Sequence, residues 1–509
     1  MPYRAARAFL LFIAIGTLAA CATVPEDYPR EPSFADTATA DTPIGQFADE
    51  WSRINDGFSG FYPLTSGTDA FGARLRLIEL AERAIDAQYF LMKNDDAGRI
   101  FAEAFMRAAD RGVKIRFLLD DVFTTVDDHM LAMLDHHPMI EVRLYNPISR
   151  RGIFYANFMG DFKRANRRMH NKSFTVDNRI TVVGGRNIAD EYFELRHDAE
   201  FLDFDVLVAG PAAAEVNETF DEFWNDERSF PITVLDEAIT EEAFAGWRAD
   251  LDAEFYRNEE TIYKHAVNSQ LVHELFERER ELYPAAHQVI TDSPAKLSSE
   301  ISEGQQALVN YLADVTSGAR SEVIVITPYF VPYESGVAYW ESLVDRGIRV
   351  IVLTNSLASN NHTAVHSGYS RHRKASIEAG IELYEARVDA VDEADGADQP
   401  EVLTLHTKAV VIDRQTLFAG SLNMDPRSIE INSELGIVID SAEMVAPLAN
   451  EVVDDLSRFA YRVKLDENGK LTWHGTIDDQ PVIETKEPQT SGWRRFQAWL
   501  LKIVPDSQL

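Results

Sequence analysis

One cysteine in 509 residues, Cys21, leaves no partner for an intramolecular disulfide, so a stapled framework is excluded. Basic residues are scarce as well: 49 lysines and arginines against 83 aspartates and glutamates give a formal charge of −34. A general nucleic-acid binder needs a basic footprint to release counterions, and this composition argues against one. Any polyanionic partner must meet a local basic site on an acidic body. Beyond residue 20 no stretch has the roughly 20 apolar residues a membrane-spanning helix needs. No Gly-x-x-x-x-Gly-Lys loop occurs, and Gly184-Gly185 opens no dinucleotide fingerprint. His362 and His366 are spaced as in a zinc helix, but Thr363 stands where a metalloprotease carries glutamate. What is present is ordinary for globular protein: 45% hydrophobic and 10% aromatic residues, on a length suited to two to four domains.

Residues 1–20 have the build of an export signal. Arg4 and Arg7 are its basic start, Phe9 to Leu18 its apolar core and Leu18-Ala19-Ala20 its small-residue cleavage site. With Cys21 next, Leu-Ala-Ala-Cys resembles the bacterial lipoprotein box, which implies acylation of Cys21. The bland alternative is plain secretory cleavage that leaves a free thiol. Residues 21–55 are expected to form a lipid-attached tether, and Ala22 resembles the outer-membrane sorting pattern. The expected location is therefore the bacterial envelope, on the periplasmic face of the outer membrane.

An internal repeat organises the remainder. Ala109 to Arg116 recurs as Val344 to Ile351, each copy closing a helix with glycine and opening a β-branched strand. Ile85 to Phe90 parallels Val325 to Phe330, both ending in Tyr-Phe. Helix alternates with strand, which predicts an α/β fold of two homologous α/β/α halves with mixed sheets. We place the halves at 56–235 and 316–465, related by a pseudo-two-fold axis with the active site at their interface. A helical connector, 236–315, has no counterpart in the repeat, and 466–509 forms a tail. The acidic stretch Asp389 to Glu401 and the tail read as surface insertions.

The strongest repeat carries the chemistry. His170-Asn171-Lys172 runs through Asp177 to Gly184-Gly185-Arg186-Asn187, and His406-Thr407-Lys408 through Asp413 to Gly420-Ser421-Leu422-Asn423, every pair 236 positions apart. Residues i and i+2 of a strand share a face, so each histidine points with its lysine. Asp177-Asn178 and Asp413-Arg414 are turn chemistry, and the returning strand brings Asn187 or Asn423 to the open end of a hairpin. Lysine and asparagine suit the oxygens of a phosphodiester; histidine suits attack or proton transfer. In-line substitution at phosphorus wants two histidines, and each half supplies one.

These paired His-x-Lys-x-x-x-x-Asp segments resemble the phospholipase D superfamily over most of residues 70–460. The stretches Asn166 to Lys172, Val183 to Phe193 and Val504 to Leu509 resemble its bacterial cardiolipin synthases of the C type and lipoprotein-like phospholipases D. The resemblance implies a phosphohistidine on His170, with His406 as general acid and then base, and neither metal nor cofactor. His170, Lys172, Asp177, His406, Lys408 and Asp413 are the motif's catalytic set. Lys172, Asn187, Lys408 and Asn423 would bind phosphate. Glu434 matches an acid that orients a catalytic histidine, and Asp203 is its expected counterpart in the first half. Both motif aspartates also suit turns. The implied partners are phospholipids: phosphatidylglycerol as acceptor, and phosphatidylethanolamine or a second phosphatidylglycerol as donor. Hydrolysis to phosphatidic acid is the first alternative, followed by a nuclease and by a non-catalytic lipid-binding protein.

Three further segments admit two readings each. Lys163 to Arg168 is either a headgroup-attracting patch or a solvated helix face. Ile153 to Met159 is either a lid or a buried helix. Trp493 to Lys502 is either an interfacial helix or a helix docked on the core.

Overall fold

The structure, a computed structural model, describes residues 28, 30–150, 154–195, 199–235, 239–258, 266, 268–298, 306–389, 402–477 and 480–506, without the side chains of 154–156 and 254–258. The signal segment, Cys21, residues 390–401, Ile153 and residues 507–509 lie outside the described residues.

Each half repeats one order of elements. In the first, strand Ser59–Leu64, helix Gly67–Leu80, strand Ala84–Tyr89, helix Asp96–Asp110, strand Lys114–Asp120, helix Asp128–Asp135 and strand Ile140–Tyr145 lead to the hairpin Ser173–Val176 and Ile180–Gly184, then to strand Asp205–Ala209. In the second, Tyr283–Thr291, Ala307–Ser317, Glu322–Ile326, Tyr333–Asp345, Arg349–Asn355, Thr363–Glu378 and Glu382–Ala386 lead to Ala409–Ile412 with Thr416–Gly420, then Leu435–Asp440. Helix Asp96–Asp110 starts where the Asp95 side chain accepts the Gly98 N–H, and it buries Ile100, Phe101, Phe105 and Met106. Gly112, at φ 96°, and Gly347, at φ 83°, turn the chain out of equivalent helices into the next strand, as the repeat predicts.

Within each half three strands pair in parallel, and the motif hairpin adds antiparallel beside them. Ser59–Leu64 and Tyr283–Thr291 pair with each other and with Asp205–Ala209 and Leu435–Asp440 of their own halves, fusing two mixed sheets into one of 18 strands. Val183, Val206 and Val208 share a core across this junction with Ile324, Ile437 and Ile439.

Four expectations change. Residues 236–315 are not a helical connector without counterpart: strand Tyr283–Thr291 and helix Ala307–Ser317 match Ser59–Leu64 and Gly67–Leu80, so the second half begins near 283 rather than 316. The repeat through Ile85 slips by two. Ile85 lies opposite Val176 while Val323, not Val325, lies opposite Ile412. A strand's side chains alternate with period two, so this slip leaves the inward–outward pattern unchanged. The stretch 21–55 expected as a tether ends in folded structure: helix Pro43–Ile54 buries Ile44, Ala48 and Trp51, so the first half takes in residues before 56. The tail is no mere insertion either, since Leu471–Ile477 and Gln480–Glu484 extend the second half's sheet.

Asp177 and Asp413 are corrected from the catalytic set. Both sit in the hairpin turn with positive φ, at the end away from the histidines. The Asp177 carboxylate accepts the N–H groups of Glu82, Arg83 and Ala84 at 3.2, 2.9 and 3.0 Å. Asp413 does the same for Arg320, Ser321 and Glu322. Seven residues of extended chain at about 3.3 Å each separate His170 from Asp177. Asp177→Ala should therefore cost about 1–3 kcal/mol of stability in urea titration, by stranding buried donors, while turnover per folded molecule persists. Lost turnover at unchanged stability would return Asp177 to the chemistry.

Candidate active site

Each motif histidine precedes its hairpin strand by a few residues, and a short parallel pairing with the other half fixes its backbone. Met169 bridges Ser433, and the N–H of His170 donates to the Ser433 carbonyl at 3.0 Å. Strand Leu403–Leu405 pairs in parallel with Glu200–Leu202, and the N–H of His406 donates to the Leu202 carbonyl at 2.7 Å. The next residue after each acceptor is an acid. Glu434 thus comes to lie 2.8 Å from Nδ1 of His170, and Asp203 2.6 Å from Nδ1 of His406. The orienting carboxylates are crossed: each half's histidine is held by the other half's acid.

Side chains around this pair are closely packed. His170 and His406 are 6% and 7% exposed, and Lys172 and Lys408 only 2% each. Both ammonium groups donate to the carbonyl of their own histidine, Lys172 at 2.6 Å. The charges of Lys172 and Lys408 each act on both imidazoles, so the two motifs form one electrostatic cluster. Aromatic rings line it: Phe90 meets His170 edge-on at 4.7 Å, Phe201 stacks on His406 at 5.1 Å, and Tyr192 meets His406 edge-on at 5.2 Å. Phe90 belonged to the slipped repeat and Tyr192 to the stretch Val183 to Phe193, while Phe201 carries no motif that could have singled it out.

Burial dominates the titration of the site. It pushes His170 well below the ordinary imidazole value, helped by Lys172 and Lys408. His406 falls to about 3 through burial and Lys408, against the pull of Asp203. Lys172 and Lys408 drop by burial to about 7 and about 8. The acids differ from one another. Burial lifts Glu434 to about 7, whereas for Asp203 the same effect is outweighed by Lys408 and His406, which hold it below the ordinary carboxylate range. Ser421 donates its hydroxyl to Glu434. The equivalent position in the first half is Gly185, where an added Cβ would fall 2.1 Å from Asp203 Oδ1. Only glycine admits the shorter acid there.

The asparagines are not equivalent. Asn187 is engaged by the scaffold, its oxygen accepting the Leu91 N–H at 3.3 Å and its amide donating to Tyr192 Oη at 2.9 Å. Asn423 has a buried oxygen with no partner. The basic run beside His170 is mostly internal: Arg168 pairs with buried Asp120, Arg167 donates to the Lys296 carbonyl, and Arg164 binds Asp161 and Asn146. Lys163 is the cation of that run left exposed. His366 is buried with Nε2 3.0 Å from Arg373. Among the described residues no group of three or more histidine, cysteine, aspartate or glutamate side chains is placed to hold a metal ion, and no helix is long and apolar enough to cross a membrane.

The crossed arrangement has a direct spectroscopic test. Downfield proton NMR should show two hydrogen-bonded imidazole N–H signals. Asp203→Asn should remove the one that His406→Gln removes, and Glu434→Gln the one that His170→Gln removes. Each acid variant should also cost roughly 10²–10⁴-fold in turnover, as expected when a histidine loses its orienting acid. The opposite pairing of signals would contradict the crossing.

A family model described as "Cardiolipin synthase, PLD-like domain" matches residues 75–224 and 312–456, one match in each half. The chain is 37% identical over 456 residues to cardiolipin synthase C of Escherichia coli (strain K12), covering 88% of this chain and 96% of that one. It is 25% identical to cardiolipin synthase A of Pseudomonas aeruginosa (strain LESB58), over 74% of this chain and 62% of the relative. Among solved structures, the phosphatidylserine synthase of Haemophilus influenzae Rd KW20 superposes with a TM-score of 0.55 at 12% identity, covering 91% of this chain and all of that one, a likeness of fold. Two family matches on two structural halves, together with extended identity to one relative, place the chain in the phospholipase D-like cardiolipin synthase family of enzymes.

Proposed function

We propose that this enzyme is a cardiolipin synthase-like phosphatidyltransferase that works through a phosphohistidine. Nδ1 of each imidazole faces a carboxylate, which turns Nε2 to the chemistry, and Lys408 Nζ lies 2.8 Å from Nδ1 and 3.3 Å from Nε2 of His406. Nε2 of His170 attacks a phospholipid phosphorus and forms an N–P bond. The bond from phosphorus to the departing alcohol breaks, and Nε2–H of His406 protonates that oxygen. An acceptor alcohol then gives its proton back to His406 as its oxygen displaces His170. Lys172, Lys408 and Asn423 receive the phosphoryl oxygens, while Asn187 holds Tyr192 in place.

The difference between the acids carries the assignment of roles. Asp203 stays ionised beside His406 and stabilises an imidazolium there, as an acid–base catalyst requires. Glu434, lifted to about 7 and sharing the Ser421 hydroxyl, favours a neutral His170, as a nucleophile requires. The low imidazole values reflect burial and the two neighbouring lysines. A bound phosphodiester adds the negative charge that lets His406 take up its proton.

Transfer must defeat water, the most abundant nucleophile. The aromatic packing of Phe90, Phe201 and Tyr192 around nearly buried histidines suits that exclusion. We assign phosphatidylglycerol as acceptor and phosphatidylethanolamine or a second phosphatidylglycerol as donor. We further assign acylation of Cys21, anchoring the enzyme on the periplasmic face of the outer membrane.

Purified protein should form cardiolipin from phosphatidylglycerol, with or without phosphatidylethanolamine. Phosphatidic acid as the sole product would make it a hydrolase instead. His170→Ala should abolish turnover. His406→Ala should cost nearly as much yet accumulate an acid-labile phosphatidyl adduct on His170, detectable with labelled lipid. Full activity in either variant would refute the two-histidine scheme.

A further inference from the structure

Helix Gly492–Leu501 is folded inside out for a protein surrounded by water. At 100° per residue, Trp493, Phe496, Trp499, Leu500 and Ile503 fall on one stripe, and that stripe faces outward. Trp493 is 66% exposed, Trp499 64% and Ile503 81%. The rings form a continuous row, Trp493 to Phe496 at 5.6 Å and Phe496 to Trp499 at 5.9 Å. The core-facing side carries Arg494, Ala498 and Leu501 instead, with Ala498 as its one buried side chain. Arg494 donates to the carbonyls of Ala358 and Asn360, and Ser367 donates to the Ala498 carbonyl at 2.8 Å.

That orientation is secured from both ends. Before the helix, Glu487 pairs with buried Arg373 at 2.9 Å. After it, Asp506 pairs with Arg371 and lies 2.9 Å from His372, while Arg371 also binds the carbonyls of Lys502 and Val504. A helix so clasped cannot roll its aromatic stripe inward without breaking these partly buried ion pairs.

We propose that this outward row docks the enzyme on a phospholipid surface, its rings entering the headgroup boundary. Three observations favour that occupant. Tryptophan and phenylalanine on one stripe are the make-up of interfacial helices, and a contiguous exposed apolar patch marks an interaction site. From Gly492 to Val504 the chain carries Arg494, Arg495 and Lys502 and no carboxylate, on a protein of charge −34, which complements anionic headgroups. Finally, Arg494 lines a cleft of about 340 Å³ shared with Lys93 and Phe201, the ring that stacks on His406. The helix that carries the row thus also walls that cleft on its inner side, so adsorption holds the cleft near the lipid. The inference rests on the transferase reading only for the nature of the substrate.

The test uses the full chain carrying Cys21→Ser, so that no acyl chain contributes. Vesicles of three parts phosphatidylcholine to one part phosphatidylglycerol are sedimented with this protein and with the same chain carrying Trp493→Ala, Phe496→Ala and Trp499→Ala. The triple variant should partition roughly tenfold or more weaker, as expected for lost interfacial aromatic area, while its turnover of monomeric short-chain phosphatidylglycerol persists. Equal partitioning of the two proteins would overturn the proposal. So would sedimentation velocity in which the row holds two copies together and vesicles do not compete. Should the variant not fold, bromine-labelled acyl chains in the same vesicles provide the second reading. Trp493 and Trp499 are the exposed members of the seven tryptophans, so their emission should be quenched; unquenched emission at full vesicle binding overturns the proposal. Absent turnover with the partitioning difference intact would support docking and count against the transferase alone.

Discussion

Two histidine–carboxylate bonds that cross between the halves are the constraint on which the structure depends. A carboxylate in a dry interior is costly unless it has partners, and here the histidine partner of each acid belongs to the other half. Neither half is complete by itself. His170 without Glu434 would lose its orientation, and so would His406 without Asp203. The two short parallel pairings and the fusion of the sheets through Ser59–Leu64 and Tyr283–Thr291 serve the same end, because they set the register that makes the crossing possible.

A perfectly symmetric site could not divide the labour of attack and proton transfer, and the symmetry is broken at a few atoms. Gly185 stands opposite Ser421 in the repeat, and Asp203 opposite Glu434. The glycine admits the shorter acid close to His406; the serine gives its hydroxyl to the longer acid and draws charge from it. Lys172 and Lys408 act on both imidazoles, and their charge suits the phosphoryl oxygens of a substrate.

The repeat made most of this legible. Constant spacing of 236 from His170 to Asn187 and from His406 to Asn423 identified the hairpins and the residues at their open ends. Asp203 comes 16 residues after Asn187 whereas Glu434 comes 11 after Asn423, and the longer connection holds strand Glu200–Leu202, which bridges to the other half. That difference explains the broken spacing, but the crossing is a tertiary fact with no trace in local pattern. The two-residue slip at Ile85 was invisible because alternation repeats every two residues. The missed counterpart at Tyr283–Thr291 is half-exposed over most of its length, so it lacks the continuous apolar run that marked the other strands. The arginines beside His170 looked like a surface patch because a charge run says nothing of its partners; buried Asp120 and backbone carbonyls take them up. The composition of Trp493 to Lys502 suggested both docking and an interfacial role, and the fold realises docking through the side of Arg494 and Ala498.

The central claim, that imidazoles 236 residues apart act on one phosphorus, is tested most directly by a crystal structure with orthovanadate bound. The account predicts a single vanadium centre with Nε2 of His170 on one side, an oxygen facing Nε2 of His406 on the other, and both lysines on the equatorial oxygens. Vanadate held by one motif alone, with the second histidine out of reach, would contradict it.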